Sequence, residues 1–223
     1  MDNKKYVNEY SSLEKWKDIC EVTLSNYANM KKRLTRRETT SNFVLIYYSI
    51  ALIIFTLTNK YYPEIFNGRL SEYFSLILSV ILLVYSLINK NARYSERIGK
   101  VEESMNAIKT IKRHLKSENL EEQIEIYNNI VDKTEMRSDV DFFNTIKSHC
   151  KRNDIKWYSF IEKISVEEND KEKKKIKGYL SEIDRFHEQT GIIFQEFCDF
   201  SLIIIPALVF VLCVIESFVK VQA

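Results

Sequence analysis

Three stretches of the chain, Thr39–Asn59, Tyr73–Asn89 and Phe200–Ile215, carry no charged residue, and the charge is confined to the segments before, between and after them. A hydrocarbon core about 30 Å thick is crossed by roughly 20 helical residues at about 1.5 Å each. Thr39–Asn59 meets that length directly. Tyr73–Asn89 is slightly short, and Ser71 with Lys90, whose charge can snorkel to the interface, completes it. The pattern predicts a transmembrane hairpin over 39–90, with helices at 39–59 and 72–90. The connection carries Tyr61, Tyr62 and Pro63, then Asn67 and Gly68, and reads as an aromatic-edged turn at the far interface.

The polar stretches show periods of three and four rather than strict alternation, and Gly (4) and Pro (2) are scarce. The expected fold is therefore all-α: a membrane hairpin continued by long polar helices. Ser11 and Glu14 have the form of a capping box opening a helix in the segment 1–38. From there Leu13, Trp16, Cys20, Thr23, Tyr27, Met30 and Leu34 form one seam. After the second span Tyr94, Ile98, Val101, Met105, Ile108 and Leu115 form another, interrupted by Lys112. Both membrane helices are thus expected to continue out of the bilayer as antiparallel arms of equal length, with Leu34 near Tyr94 and Leu13 near Leu115. A heptad pattern is equally satisfied by the same helix in another subunit.

The region 91–198 is read as further helices. Ser138 precedes a stretch with Val140, Phe142, Phe143 and Ile146, and Ser165 with Glu168 forms a second capping box. The five lysines within Lys171–Lys177 read as a solvated face, and an apolar stripe of Ile176, Leu180, Ile183, Phe186, Ile193 and Phe197 leads into the third run. That run, with its extension 199–219, contains Pro206 and meets Glu216 near its end. Three placements fit: a third span putting the C-terminus outside, a re-entrant segment, and a buried helix. Its length favours the span.

Basic residues set the expected orientation. Lys31, Lys32, Arg33, Arg36 and Arg37 precede the first span, and Lys90, Arg93, Arg97 and Lys100 follow the second, against Lys60 and Arg69 between them. The positive-inside rule places both outer flanks, and with them 1–38 and 91–198, in the cytoplasm. The balance of 33 basic to 31 acidic residues points to no nucleic-acid partner. Cys20, Cys150, Cys198 and Cys213 are far apart, without metal-ligand spacing, and disulfides are not expected.

Nothing in the chain has the form of a nucleophile elbow, phosphate-binding loop, zinc motif or kinase signature, so no catalytic residue, metal or cofactor is assigned. His149 and Cys150 are adjacent and point to different helix faces. Within the spans, Ser75, Ser79 and Ser86 share one face of the second helix, and Ser49 and Thr56 are seven apart on the first. Because a hydroxyl in lipid normally faces a neighbouring helix or water, these residues are candidates for helix packing or for lining a pore. One chain cannot surround a water-filled path, so a pore requires a homo-oligomer. The absence of charge inside the first two spans argues against a proton relay or coupled transporter.

The order of elements, an arm with Trp16 and the basic Lys31–Arg37 cluster, a hairpin of Asn42–Thr58 and Tyr73–Asn89, then the charged helix Asn91–Lys116, resembles the SLATT family. These are two-helix membrane effectors associated with nucleotide-signalling and nucleotide-sensing proteins, some encoded beside reverse transcriptases. The resemblance implies a bacterial anti-phage effector in the inner membrane. A sensor, nucleotide-synthesising or reverse-transcriptase partner would trigger it to permeabilise the lipid bilayer. The alternative is a membrane-anchored scaffold whose polar helices recruit a partner. The apolar third run departs from the minimal two-helix pattern.

Overall fold

The computed structural model describes residues 2–63, 68–157, 176–180 and 185–222. The box of Ser165 and Glu168, most of the lysine run, Ile183 and Asn67 lie outside them. The described residues are helical, joined by short turns and without strands: α1 Asp2–Tyr61, α2 Gly68–Ala92, α3 Tyr94–His114, α4 Leu120–Lys133, α5 Asp139–Arg152 and α6 Arg185–Gln222. Residues 176–180 form one further helical turn.

The chain divides into two units, Met1–Thr35 with Ser95–Ile192, and Arg36–Tyr94 with Ile193–Ala223. The first is a polar bundle. From α1 it buries Cys20, Tyr27, Met30 and Leu34, and from α3 Val101, Ile108 and Ile111, with Leu115 just beyond the helix end. Leu13, Trp16, Tyr94, Ile98 and Met105 are half-buried. Lys31 meets Glu102 and Lys112 meets Glu21, each at 3.1 Å, so α1 and α3 run antiparallel within one chain. Lys112, an interruption in the apolar seam, is thus one of the residues that sets its register.

These pairings oppose position 34 to position 99 rather than to Tyr94, roughly a turn and a half from the expected alignment. An apolar period fixes which face is buried, while its axial register depends on the charges beside it. Burying a Val, Leu or Ile contributes roughly 1.5–3 kcal/mol, against about 0–1 for an exposed ion pair. The seam therefore holds the bundle, and the ion pairs choose its alignment. A second core joins Ile146, Cys150, Ile176 and Leu180, flanked by Phe142, Ile155, Trp157 and Tyr179.

The second unit is apolar on its outside. Val44, Tyr48, Phe55 and Leu78 form its core, with Leu52, Phe74, Leu82 and Val209 of α6 packed around them. Ile46, Ile53, Leu76, Leu83 and Ile88 project outward and are more than half exposed. Two helical stretches are long and apolar enough to cross a membrane, yet only 22% and 11% of their most apolar windows is buried. The core helix of a soluble protein would be mostly buried, so this exterior matches an acyl-chain solvent. α6 remains helical through Pro206.

Two local expectations are corrected. α1 begins at Asp2, so Ser11 and Glu14 lie inside a helix rather than capping its start. The preceding Lys4, Lys5 and Glu9 are good helix formers, and they carry the helix through Ser11. Second, α2 does not run straight into α3. Arg93 separates them with a left-handed φ of 45°. The break falls between Asn89, which bonds Asn42 within the hairpin, and Arg97, which pairs with Glu135 in the bundle. The two helices belong to different units, and the connecting residue takes the strain.

A non-glycine residue there costs about 1 kcal/mol, and a β-branched one more. Arg93→Val is therefore expected to lower the thermal midpoint in detergent, while Arg93→Gly leaves it unchanged or raises it. Equal losses in both would show that the side chain, and not the backbone, matters at this joint.

Candidate functional site

In the apolar unit, polar side chains tie one end of the hairpin. Ser41 Oγ and Tyr85 OH lie 3.2 Å apart, and Asn89 Nδ2 donates to Asn42 Oδ1 at 3.4 Å. Both pairs link α1 to α2, and in a lipid environment each satisfies groups that would otherwise be unpaired. Near the other end of α2, Ser71 Oγ is buried without a hydrogen-bond partner.

The hydroxyls singled out as candidate lining lie elsewhere. Ser49, Thr56, Ser79 and Ser86 are exposed and Ser75 is half-buried. Ser49 donates to the Leu45 carbonyl at 2.8 Å, Thr56 to Leu52 at 2.9 Å and Ser79 to Ser75 at 2.8 Å. A hydroxyl bonded to the carbonyl one turn back needs neither water nor a neighbouring helix. Their polarity alone therefore does not demand a wet path. None of these side chains contributes to the unit's own buried core.

The polar bundle holds the most buried charge described. Asp141 is fully buried near the start of α5, and Arg33 of α1 grips it bidentately: Nε donates to Oδ1 and Nη2 to Oδ2, each at 2.9 Å. The Ser138 backbone N–H donates to Oδ2 at 3.0 Å, as in a capping box. One turn along α5, Thr145 Oγ1 accepts from Asn29 Nδ2 at 2.9 Å and donates to the Asp141 carbonyl at 3.0 Å. α1 thus presents Asn29 and Arg33, four residues apart, to Thr145 and Asp141, also four apart. Two helices are fixed in rotation and in height by this ladder. Asn26 continues the same stripe on α1 and is buried, with its Oδ1 unbonded.

A second junction gathers hydroxyls. Thr23 Oγ1 and Tyr127 OH are 2.7 Å apart, Ser104 Oγ and Thr134 Oγ1 are 2.7 Å apart, and Trp16 meets Tyr127 edge-on at 5.6 Å. Burial pushes the Tyr27 and Tyr127 phenols up from their ordinary range, opposed by hydrogen bonds with Thr134 and Thr23 respectively, so both remain neutral. Burial likewise pushes the Cys20 thiol up, with nearby Lys112 opposing, which keeps it an unreactive thiol.

Of the membrane-flanking basic residues, Lys31 pairs with Glu102, Arg33 with Asp141 and Arg97 with Glu135. These three serve the bundle in addition to any part in orientation. Lys32, Arg36, Lys90 and Arg93 are exposed and Arg37 is half-buried. Cys150 is buried in the second core, and the neighbouring His149 Nε2 lies 3.3 Å from Arg152 Nη2. Among the described residues no cluster of three or more His, Cys, Asp or Glu is placed to hold a metal. The Arg33–Asp141 ladder was not anticipated. Its signals were the Ser138-x-x-Asp141 box and the Asn26, Asn29, Arg33 stripe beside the apolar seam.

Residues 9–215 match the family described as SMODS and SLOG-associating 2TM effector domain family 5. The matched range reaches Ile215, so most of α6 lies inside the domain. No curated protein and no solved structure matches the chain.

Removing one partner of a buried ion pair leaves an uncompensated charge and costs about 3–5 kcal/mol, whereas replacing both with apolar residues is often neutral. Arg33→Met is therefore expected to destabilise the bundle strongly, and adding Asp141→Leu to restore much of the loss. Thermal unfolding of the single and double variants measures this. Additive losses would remove the coupling.

Proposed function

The chain belongs to the SMODS and SLOG-associating 2TM effector domain family, and we propose that this membrane effector acts by forming an oligomeric pore. In this reading it sits in the bacterial inner membrane as part of an anti-phage, abortive-infection system. A sensor, a nucleotide-synthesising enzyme or a reverse transcriptase is the trigger, directly or through a nucleotide signal. The polar bundle faces the cytoplasm, following the basic flanks of the hairpin. α6 is the third span: it is helical through Pro206, and Leu208, Val211, Leu212 and Ile215 on it are at least half exposed.

The observation that carries the pore reading is the exposed hydroxyl-bearing face of α2. Ser79 and Ser86 project from it with Ser75 half-buried beside them, and the chain's own core uses none of the three. Neighbouring copies that turned these faces inward would line a narrow path, with Ser49 and Thr56 of α1 contributing hydroxyls. The carbonyl bonds of Ser49, Thr56 and Ser79 also suit a lipid-facing helix. That observation favours a second reading, in which the hairpin only anchors a scaffold that recruits a partner.

Expression with the triggering partner and a membrane-potential dye separates the two. The pore reading expects depolarisation that Ser79→Leu weakens, and loss of activity when an unrelated hairpin replaces residues 39–90 in a protein that still folds. Activity that survives the exchange, without depolarisation, would establish the scaffold.

A further inference from the structure

α6 carries an apolar seam that no part of the described chain covers. Phe186, Thr190, Ile193, Phe197 and Phe200 follow one another at alternating steps of four and three. All are exposed, the four apolar ones by 55–77%. The same count continues through Ile204 and Ala207 to Val211. A period of 3.5 sustained over more than three heptads is the signature of a helix packed against another helix. Val209, which packs on the hairpin core, lies on the opposite side of α6. Gln189, on the flank of the seam, is taken by Lys147 of α5 at 3.1 Å. These contacts lie on the flank and the opposite side of the helix, and no described residue covers the seam.

Lipid does not account for the whole of it. Phe186 to Val211 rises about 38 Å along the helix, whereas the hydrocarbon core is about 30 Å thick. Val209 packs against Val44, Tyr48, Phe55 and Leu78, in the middle of the apolar hairpin, which leaves Phe186 about 35 Å away along α6. Half the hydrocarbon thickness is only about 15 Å, so the first turns of the seam lie outside acyl chains. We infer that the occupant is the same seam of a second copy of this chain, packed in parallel as a coiled coil. A 3.5-residue seam is self-complementary, and copies inserted by the same rule have their α6 helices pointing the same way. Equivalent residues then face each other across the axis, Thr190 to Thr190 and Ile193 to Ile193.

This interface rests on the reading of α6 as a span and supplies the contact through which the proposed oligomer assembles. Its test is disulfide trapping of the full-length chain in membranes. Cys198→Ser and Cys213→Ser remove the native thiols of α6, and a single cysteine is then placed at Thr190, Ile193 or Gly191. Parallel seam packing brings Thr190→Cys and Ile193→Cys to their counterparts, and oxidation should give several-fold more covalent dimer from each than from Gly191→Cys, which lies off the seam. Equal yields at all three sites, or most dimer from Gly191→Cys, would overturn the interface. The dye experiment separates it from the pore: seam crosslinks without depolarisation uphold the interface and remove the pore, and depolarisation without seam crosslinks does the reverse.

Discussion

The structure depends on the unbroken hydrogen-bond ladder of α1. Inside a bilayer each backbone amide must be satisfied within its own helix, so a chain entering lipid as a helix has little freedom to bend there. α1 carries that constraint outward: Asp2–Tyr61 is one helix, about 90 Å long, shared by both units. Arg33 is its last described ionic anchor in the polar bundle and Ser41 its first described polar contact in the hairpin, about 12 Å further along. α1 therefore joins the two units without a break in its backbone hydrogen bonds. The second connection is built differently, since α2 ends at Ala92 and Arg93 breaks the path before α3. α6, which also crosses the division between Ile192 and Ile193, is continuous like α1, so the α2–α3 connection is the jointed one.

The two units use different physics at each end of α1. Water drives apolar surface together in the polar bundle, where Met30, Leu34, Val101 and Ile108 are essentially sealed from solvent. Lipid supplies no such drive, and the hairpin relies instead on packing around Tyr48, Phe55 and Leu78 and on the Ser41–Tyr85 and Asn42–Asn89 pairs. The buried Arg33–Asp141 pair contributes specificity more than net stability, because desolvation offsets much of its attraction. Its bidentate geometry selects one rotation of α1 against α5.

What the sequence made legible follows from what is periodic or segregated in it. The all-helical fold, the two spans and the buried faces of α1 and α3 were readable because charge is excluded from some segments and apolar positions recur every three or four residues in others. The alignment of α1 with α3 was not readable, since it is set by Lys31–Glu102 and Glu21–Lys112, pairs remote in sequence with no periodic signature. The partnership of Arg33 with Asp141, 108 positions apart, was hidden for the same reason. Arg93 gave no warning, because the sequence offers neither Gly nor Pro where the chain turns left-handed. The requirement that a hydroxyl in a span face a neighbouring helix or water was too strong for Ser49, Thr56 and Ser79, because a carbonyl one turn back satisfies each of them.

The central claim is the continuity of α1 between the two units. Hydrogen exchange of the backbone amides from Met30 to Val44, measured on the protein in lipid nanodiscs, addresses it directly. A helix that passes unbroken from the Arg33 anchor to the hairpin predicts slow exchange at every residue of that stretch. Fast exchange confined to Thr35–Thr40 would mean two helices joined by a hinge, and would contradict the continuity of α1.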